Sequence, residues 1–294
     1  MRVTFQSIND GIGAVNTAAE QFARAQRQVE TGRRIQSPSD DPSAAMRVIQ
    51  GTNELATIDA YTRANDTASS RLTVLDTVMG TMVDRLSEAQ AAAAQGRGTT
   101  ANTATRQALS AKLLGIRDGL ISDFNSRFRG TALFAGSEVQ ATAYAQVAGA
   151  WTYQGDAAEV TVEVGRNRSV TVALAGQAIA KGSEPVDIFT ALDNLATAVL
   201  AADETAMATG MDALTRAFDR AVRAQSLVGV DEQGVNEEQQ SLSSFRLATL
   251  QAVVKDRDTN MAAAITEMNQ ADTAYRASLQ AVGATAKVSL LDYL

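Results

Sequence analysis

The chain has no cysteine and no histidine among its 294 residues. Without cysteine there are no disulfides, no thiolate zinc sites and no sulfur nucleophile. Without histidine the commonest general base and the commonest metal ligand are both gone, and a Ser-His-Asp triad is excluded. Basic residues are in deficit, with 26 Lys and Arg against 33 Asp and Glu, for a formal charge of −7. That balance disfavours nucleic-acid backbones and anionic membrane surfaces, so neither is expected as a partner. No run approaches the ~18 apolar residues of a membrane-spanning helix. The opening Met1-Arg2-Val3-Thr4-Phe5-Gln6 lacks the apolar stretch of a cleaved secretory signal. A phosphate loop is missing too, since Gly11-Ile12-Gly13 has no third glycine and no strand before it. No Gly-x-Ser-x-Gly elbow occurs. These absences leave no catalytic, cofactor or metal site to assign, and no enzyme is expected.

Proline and aromatic residues are also scarce. Pro38, Pro42 and Pro185 are the only three prolines, and aromatics make up 5% of the chain. Long stretches can therefore run as unbroken helix. Hydrophobic residues reach 45%, with much alanine, the best helix former.

What is present is a matched pair of apolar stripes at the two ends. Phe5, Ile12, Ala19 and Gln26 lie seven apart, with Ile8, Val15, Phe22 and Val29 three residues after each. Leu247, Val254, Met261, Met268, Tyr275 and Val282 repeat the seven-residue spacing at the other end, broadened by Leu250, Ile265 and Leu279. This is coiled-coil spacing, and two such ends are expected to pack as neighbours and to serve assembly. The front helix alone buries too little to offset the ordering of its backbone, at ~1–2 kcal/mol per residue. The expected assembly interface is Phe5, Ile8, Ile12, Val15, Phe22, Val29, Val254, Met261, Met268, Tyr275, Val282, Leu290, Leu291 and Leu294.

Between the ends, the spacing predicts a helix over 5–30, stopped by Gly32. Asp41 caps the next helix and Pro42 opens it. That helix runs to about Gln95, carrying Ile49, Leu55, Ile58, Leu72, Leu75, Met79, Met82 and Leu86. Gly96-Arg97-Gly98 breaks it, and a helix over 103–127 follows. From Thr131 to Lys181 the composition shifts to Gly, Val, Thr and aromatics. Val160 to Val164 and Val170 to Val172 alternate strictly around a Gly165-Arg166-Asn167-Arg168 turn, which predicts a hairpin. Trp151-Thr152-Tyr153 predicts a further strand. Helices are expected over 186–201 and 205–227. Gly229 to Gly234 reads as a loop. Asn236 with Gln239 reads as a capping box opening a helix that continues to Val282. Asp40-Asp41 has the residue types of a carboxylate pair, but capping explains it better.

The turn Gly32-Arg33-Arg34-Ile35-Gln36-Ser37-Pro38-Ser39-Asp40-Asp41-Pro42-Ser43-Ala44-Ala45 resembles the N-terminal signature of the flagellin-like axial proteins of bacterial flagella. Its Pro-Ser-Asp-Asp-Pro form is similar to that of the hook–filament junction members rather than filament flagellin. Gly115 to Leu120, the Phe134-Ala135-Gly136 and Tyr153-Gln154-Gly155-Asp156 pair, and the closing Ser289-Leu290-Leu291-Asp292-Tyr293-Leu294 resemble further family segments in the same order. The resemblance implies a non-enzymatic structural adaptor, with no cofactor, between hook and filament. It implies flagellin, a hook-side junction protein, further copies of itself and an export chaperone as partners. It also implies an extracellular location on the flagellum, reached through the flagellar type III apparatus without a cleaved signal. A short filament-forming flagellin is the alternative.

The expected fold is mainly α: a long-helix bundle with terminal coiled-coil helices and a small β-rich insert. Residues 1–44 with 245–294 would form the terminal domain, 45–130 with 186–244 a helical body, and 131–185 a β insert. That insert is expected to project outward and to be removable without unfolding the body.

Overall fold

The computed structural model describes residues 3–98, 102–138 and 140–291, with side chains left undescribed at 3–5, 7, 8 and 285–291. Seven helices and six short strands follow one another in these residues. The long helices are α1 (Val3–Thr31), α2 (Pro42–Gly96), α3 (Thr103–Phe124), α5 (Ile188–Ala201), α6 (Glu204–Arg257) and α7 (Met261–Leu291). A short α4 (Gly176–Ala180) follows the strands. The fold is a long-helix bundle with a small strand-containing region, as expected.

The chain forms two compact units, one of residues 1–58 with 244–294 and one of residues 59–243. We call them the terminal unit and the body. Both α2 and α6 contribute to both.

In the body, α2 and α6 run antiparallel. Asp66, Thr73, Asp76 and Gln90 on α2 bond to Gln239, Glu232, Gln225 and Thr215 on α6, the second set falling as the first rises. Each helix turns a seven-residue repeat inward. On α2, Leu72, Met79 and Leu86, with Leu75, Met82 and Ala89 three residues after each, are all 0–2% exposed. On α6 the repeat is Met207, Leu214, Ala221, Val228, Val235 and Leu242, all buried. This is the knob spacing of a coiled coil, completed within the chain. The shorter α3 and α5 add Leu113, Ile116, Leu120, Leu192, Leu195 and Val199 to the same core. Asn102 caps α3 and Asp187 caps α5, each side chain accepting a backbone N–H at 2.8 Å.

The strands make three two-stranded antiparallel hairpins: β1 (Arg127–Phe128) with β2 (Thr131–Ala132), β3 (Tyr144–Val147) with β4 (Ala150–Tyr153), and β5 (Val160–Gly165) with β6 (Arg168–Ala173). The first two turn through Arg129-Gly130 and Ala148-Gly149, all four residues at positive φ, the geometry that matches strand twist.

Five sequence expectations need correction. The hairpins share the core of the helical body rather than forming a compact unit of their own. Val164, Val170 and Val172 are buried in the core that holds the helices. Rings of Phe124, Phe134, Tyr144 and Phe189 meet edge to face at 4.8–5.6 Å, joining α3, the strand region and α5. The Gly229 to Gly234 segment is not a loop, because α6 runs through it without a break. Its Gly234 serves close packing: a Cβ there would lie 2.6 Å from the Arg168 guanidinium at the hairpin tip. In return the Glu238 side chain occupies the space a Cβ on Gly165 would need. Asn236 therefore lies mid-helix and caps nothing. The helix expected to run to Val282 instead breaks at Asp258 to Asn260, dividing α6 from α7. Finally, α3 stops at Phe124 rather than Arg127, because Arg127 already pairs with Ala132 in the first hairpin.

Candidate assembly interface

The terminal unit is built on α1 and α7, which pack along each other. Phe22 and Tyr275 stack with centroids 6.3 Å apart and rings 3° from parallel. Val282 fills the space beside Gly11, where an added Cβ would come within 2.9 Å of its methyl carbon. Gly11 to Val282 and Phe22 to Tyr275 fix an antiparallel pairing. Small residues close the pair: Ala25 and Ala264 are the buried positions, at 3% and 2% exposure.

The expected interface residues divide into three sets. Val15, Phe22, Val29, Met268, Tyr275 and Val282 are half-buried. Ile12, Val254 and Met261 remain exposed at 48%, 39% and 43%. The side chains of Phe5, Ile8, Leu290 and Leu291, and the whole of Leu294, lie outside the described residues. Met46, Ile49, Phe245, Leu247, Leu250, Ile265 and Leu279 are further exposed large apolar residues of this unit. None of these seven was among the expected interface residues; Leu247, Leu250, Ile265 and Leu279 lay on the C-terminal stripe, whereas Met46, Ile49 and Phe245 lay on neither stripe. The last three fall between the two stripes in sequence, and the fold places them in the same unit.

The Gly32 to Ala45 turn is a clasp. Backbone bonds tie it to the α6–α7 break: the Arg34 N–H donates to Arg257 O at 2.8 Å, and the Thr259 N–H donates to Gly32 O at 3.0 Å. The Arg34 guanidinium adds a bond to Asp256 O at 2.9 Å. Arg47, on the first turns of α2, grips the Asp256 carboxylate with two bonds of 3.0 Å. Asp41 caps α2, accepting from the Ala44 N–H at 3.0 Å. Asp40 closes the turn, accepting from the Gln36 and Ser37 N–H groups at 3.0 and 2.9 Å.

These bonds favour the charged carboxylates. The Ala44 N–H first, then the Ser43 hydroxyl and Arg34, bring Asp41 down to about 2. The backbone N–H groups of Ser37 and Gln36 lower Asp40, and Arg47 lowers Asp256. The acidic pair is thus held as caps. Among the described residues no cluster of three His, Cys, Asp or Glu side chains could hold a metal ion, and no helix is long and apolar enough to cross a membrane.

The second pair of motifs is a knot in the body. Asp156 receives the Ser137 N–H at 2.8 Å and the Ser137 hydroxyl, while its own N–H reaches Ala135 O. The Tyr153 hydroxyl lies 3.0 Å from Phe134 O and from Asp156 O, and burial pushes its phenol up to about 12.

The long-helix architecture has counterparts among known proteins. Residues 10–139 match the bacterial flagellin N-terminal helical region. More particular matches follow. Flagellar hook-associated protein 3 of Salmonella typhimurium is 26% identical over 181 residues, 61% of this chain and 56% of that protein. The chain thus spans just over half the length of the curated relatives it matches. Among solved structures, flagellar hook associated protein-3 from Legionella pneumophila superposes with a TM-score of 0.66 at 10% identity, covering 71% of this chain and 98% of that one. FlgL of Xanthomonas campestris gives 0.62 at 15% identity, covering 69% and 99%. At these identities the superpositions show the fold. The resemblance to the flagellin-like axial proteins, and to their hook–filament junction branch, is borne out.

Proposed function

We propose that this chain is a structural adaptor subunit of the bacterial flagellum, joining the hook side to the flagellin filament. The observation that carries this is the match to curated proteins named flagellar hook-associated protein 3. The exposed apolar residues of the terminal unit support it. Ile12, Met46, Phe245, Leu247 and Met261 are large apolar side chains left in water within one unit, available to partner subunits. On this reading Phe5, Ile8, Ile12, Val254, Met261, Leu290, Leu291 and Leu294 meet neighbouring subunits. Phe22, Val29, Met268, Tyr275 and Val282 hold the α1–α7 pair that presents them. The partners are flagellin, a hook-side junction protein and further copies of the chain, with a chaperone during type III export. The adaptor performs no catalysis.

Immunogold labelling of intact flagella with antibody against this chain tests the reading. Gold confined to a short zone where hook meets filament is the expected result. Labelling along the whole filament would instead identify a filament-forming flagellin, and no labelling of flagella would overturn both readings.

A further inference from the structure

The body hides nearly all of its large apolar side chains. Among its described residues the exceptions are Val147, Val186, Leu200, Leu227 and Val230. Leu227 and Val230 are the most exposed, at 67% and 66%. They lie three apart on one face of α6, and the exposed Arg223 stands one turn before Leu227 on the same stripe. Asp219 lies a further turn away. The result is a short apolar ridge with a cation beside it.

The same unit carries a groove of about 550 Å³ between α5 and the start of α6. Its walls are small because Ala191, Ala198, Ala206, Gly210 and Ala213 face it, and Val186 stands at its rim. Asp203 is its only charged lining residue. That carboxylate accepts the Ala206 N–H at 3.0 Å as the cap of α6. The groove is therefore mostly apolar, with Asn194, Thr197 and Thr209 adding polar groups, roomy enough for large side chains, and marked by one fixed anion.

We propose that the Arg223–Leu227–Val230 ridge of one copy docks in the α5–α6 groove of a second copy, with Arg223 against Asp203. Shape and charge both support this occupant: large side chains meet a groove lined mostly by small residues, and the Arg223 guanidinium, with Asp219 one turn before it, meets the groove's one charged residue, Asp203. The two patches differ, so the contact is heterologous and extends from copy to copy rather than closing as a two-fold dimer. Met207 beside the groove and Leu227 on the ridge lie about 30 Å apart along α6 at ~1.5 Å per residue, which sets the offset between copies that run parallel. The inference rests on the reading that copies of the chain pack against one another. It is silent on hook or filament, so immunogold labelling decides the adaptor reading separately.

The natural absence of cysteine makes a direct test available. Two full-length variants are made, Leu227→Cys on the ridge and Thr209→Cys in the groove wall, both at exposed positions. Each is oxidised alone and then mixed, and disulfide-linked dimers are followed over time. The mixed disulfide should form about tenfold faster than either homodimer. Adding Arg223→Glu to the Leu227→Cys chain should return the mixed rate toward the homodimer rates. A mixed rate no higher than the homodimer rates, or one unchanged by Arg223→Glu, overturns the proposal.

Discussion

The body and the terminal unit use the same seven-residue repeat with opposite results. In the body, Leu72, Leu75, Met79 and Met82 reach 0–1% exposure, because α6 supplies the other half of the seam within the chain. In the terminal unit, Ile12, Val254 and Met261 keep the spacing but stay in water. Along the α1–α7 pair, among the described residues, the small residues Ala25 and Ala264, not the large ones, are the buried positions. A heptad therefore announces that a helix wants a partner. It does not tell whether that partner is the same chain or the next one.

The hardest way to break this contrast is to remove the hairpins. If residues 136–182 were a separate insert, their deletion would leave a cooperatively folded bundle. Because Val164, Val170, Val172 and Tyr144 are part of the body's core, the deletion should abolish two-state thermal unfolding. Circular dichroism followed through a melt would read this.

A smaller effect separates the two seams. Leu75→Ala should cost the free chain roughly 2–5 kcal/mol, as emptied core sites do. Ile12→Ala should change it by no more than about 0.5 kcal/mol, as exposed substitutions usually do. Urea titrations of the two variants make the comparison. Equal losses would mean that the terminal seam is completed within the monomer.

Asn65 sharpens the account of the body. It lies seven residues before Leu72, on the inward row of α2, and is wholly buried. Its amide donates to Tyr61 O and across to Val164 O on the hairpin. Asn65→Ala leaves the Val164 carbonyl without this donor and should cost about 1–3 kcal/mol by the same titration.

The smallest effect concerns the clasp. The carboxyl of Asp41 is lowered in the folded chain from 3.8 to about 2. Its stabilising contribution is therefore full above about pH 4 and is lost as the pH falls through about 2. Asp40 and Asp256 act in the same direction. Amide protection at the first turn of α2, relative to the intrinsic exchange rate at each pH, should be high at neutral pH and fall in that acidic window. Asp41→Ala should lower protection there at neutral pH as well, while the body is unaffected.

Much of this organisation was legible in the sequence. The terminal stripes, the Asp41 cap, the break after Gly96 and the Val160 to Val172 hairpin follow from spacing and turn chemistry. Other features were set by contacts distant in sequence. Gly234 looks like a helix breaker until Arg168 is seen pressing against it. No Gly or Pro marks the break at Asp258 to Asn260, but its run of capping residues does, with Asn260 accepting the Ala262 and Ala263 N–H groups; backbone bonds to Gly32 and Arg34 tie it to the clasp. Of the two shorter hairpins only the Trp151 to Tyr153 strand was read; the rest was missed because strands of two to four residues carry too few alternations to register, although Arg129-Gly130 and Ala148-Gly149 are turn signals. In the terminal unit, spacing marked the stripe residues but not the exposed Met46, Ile49 or Phe245, which the fold places in the same unit.

The central claim is that neighbouring subunits complete the terminal unit, whereas the body is complete alone. Hydrogen–deuterium exchange on the free chain and on the chain in isolated flagella tests it most directly. In the free chain, amides of α1 and α7 should exchange far faster than those of α2 and α6 between Leu72 and Leu86 and between Leu214 and Val235. In flagella the two sets should be comparably protected. Equal, strong protection of both sets in the free chain would contradict the account.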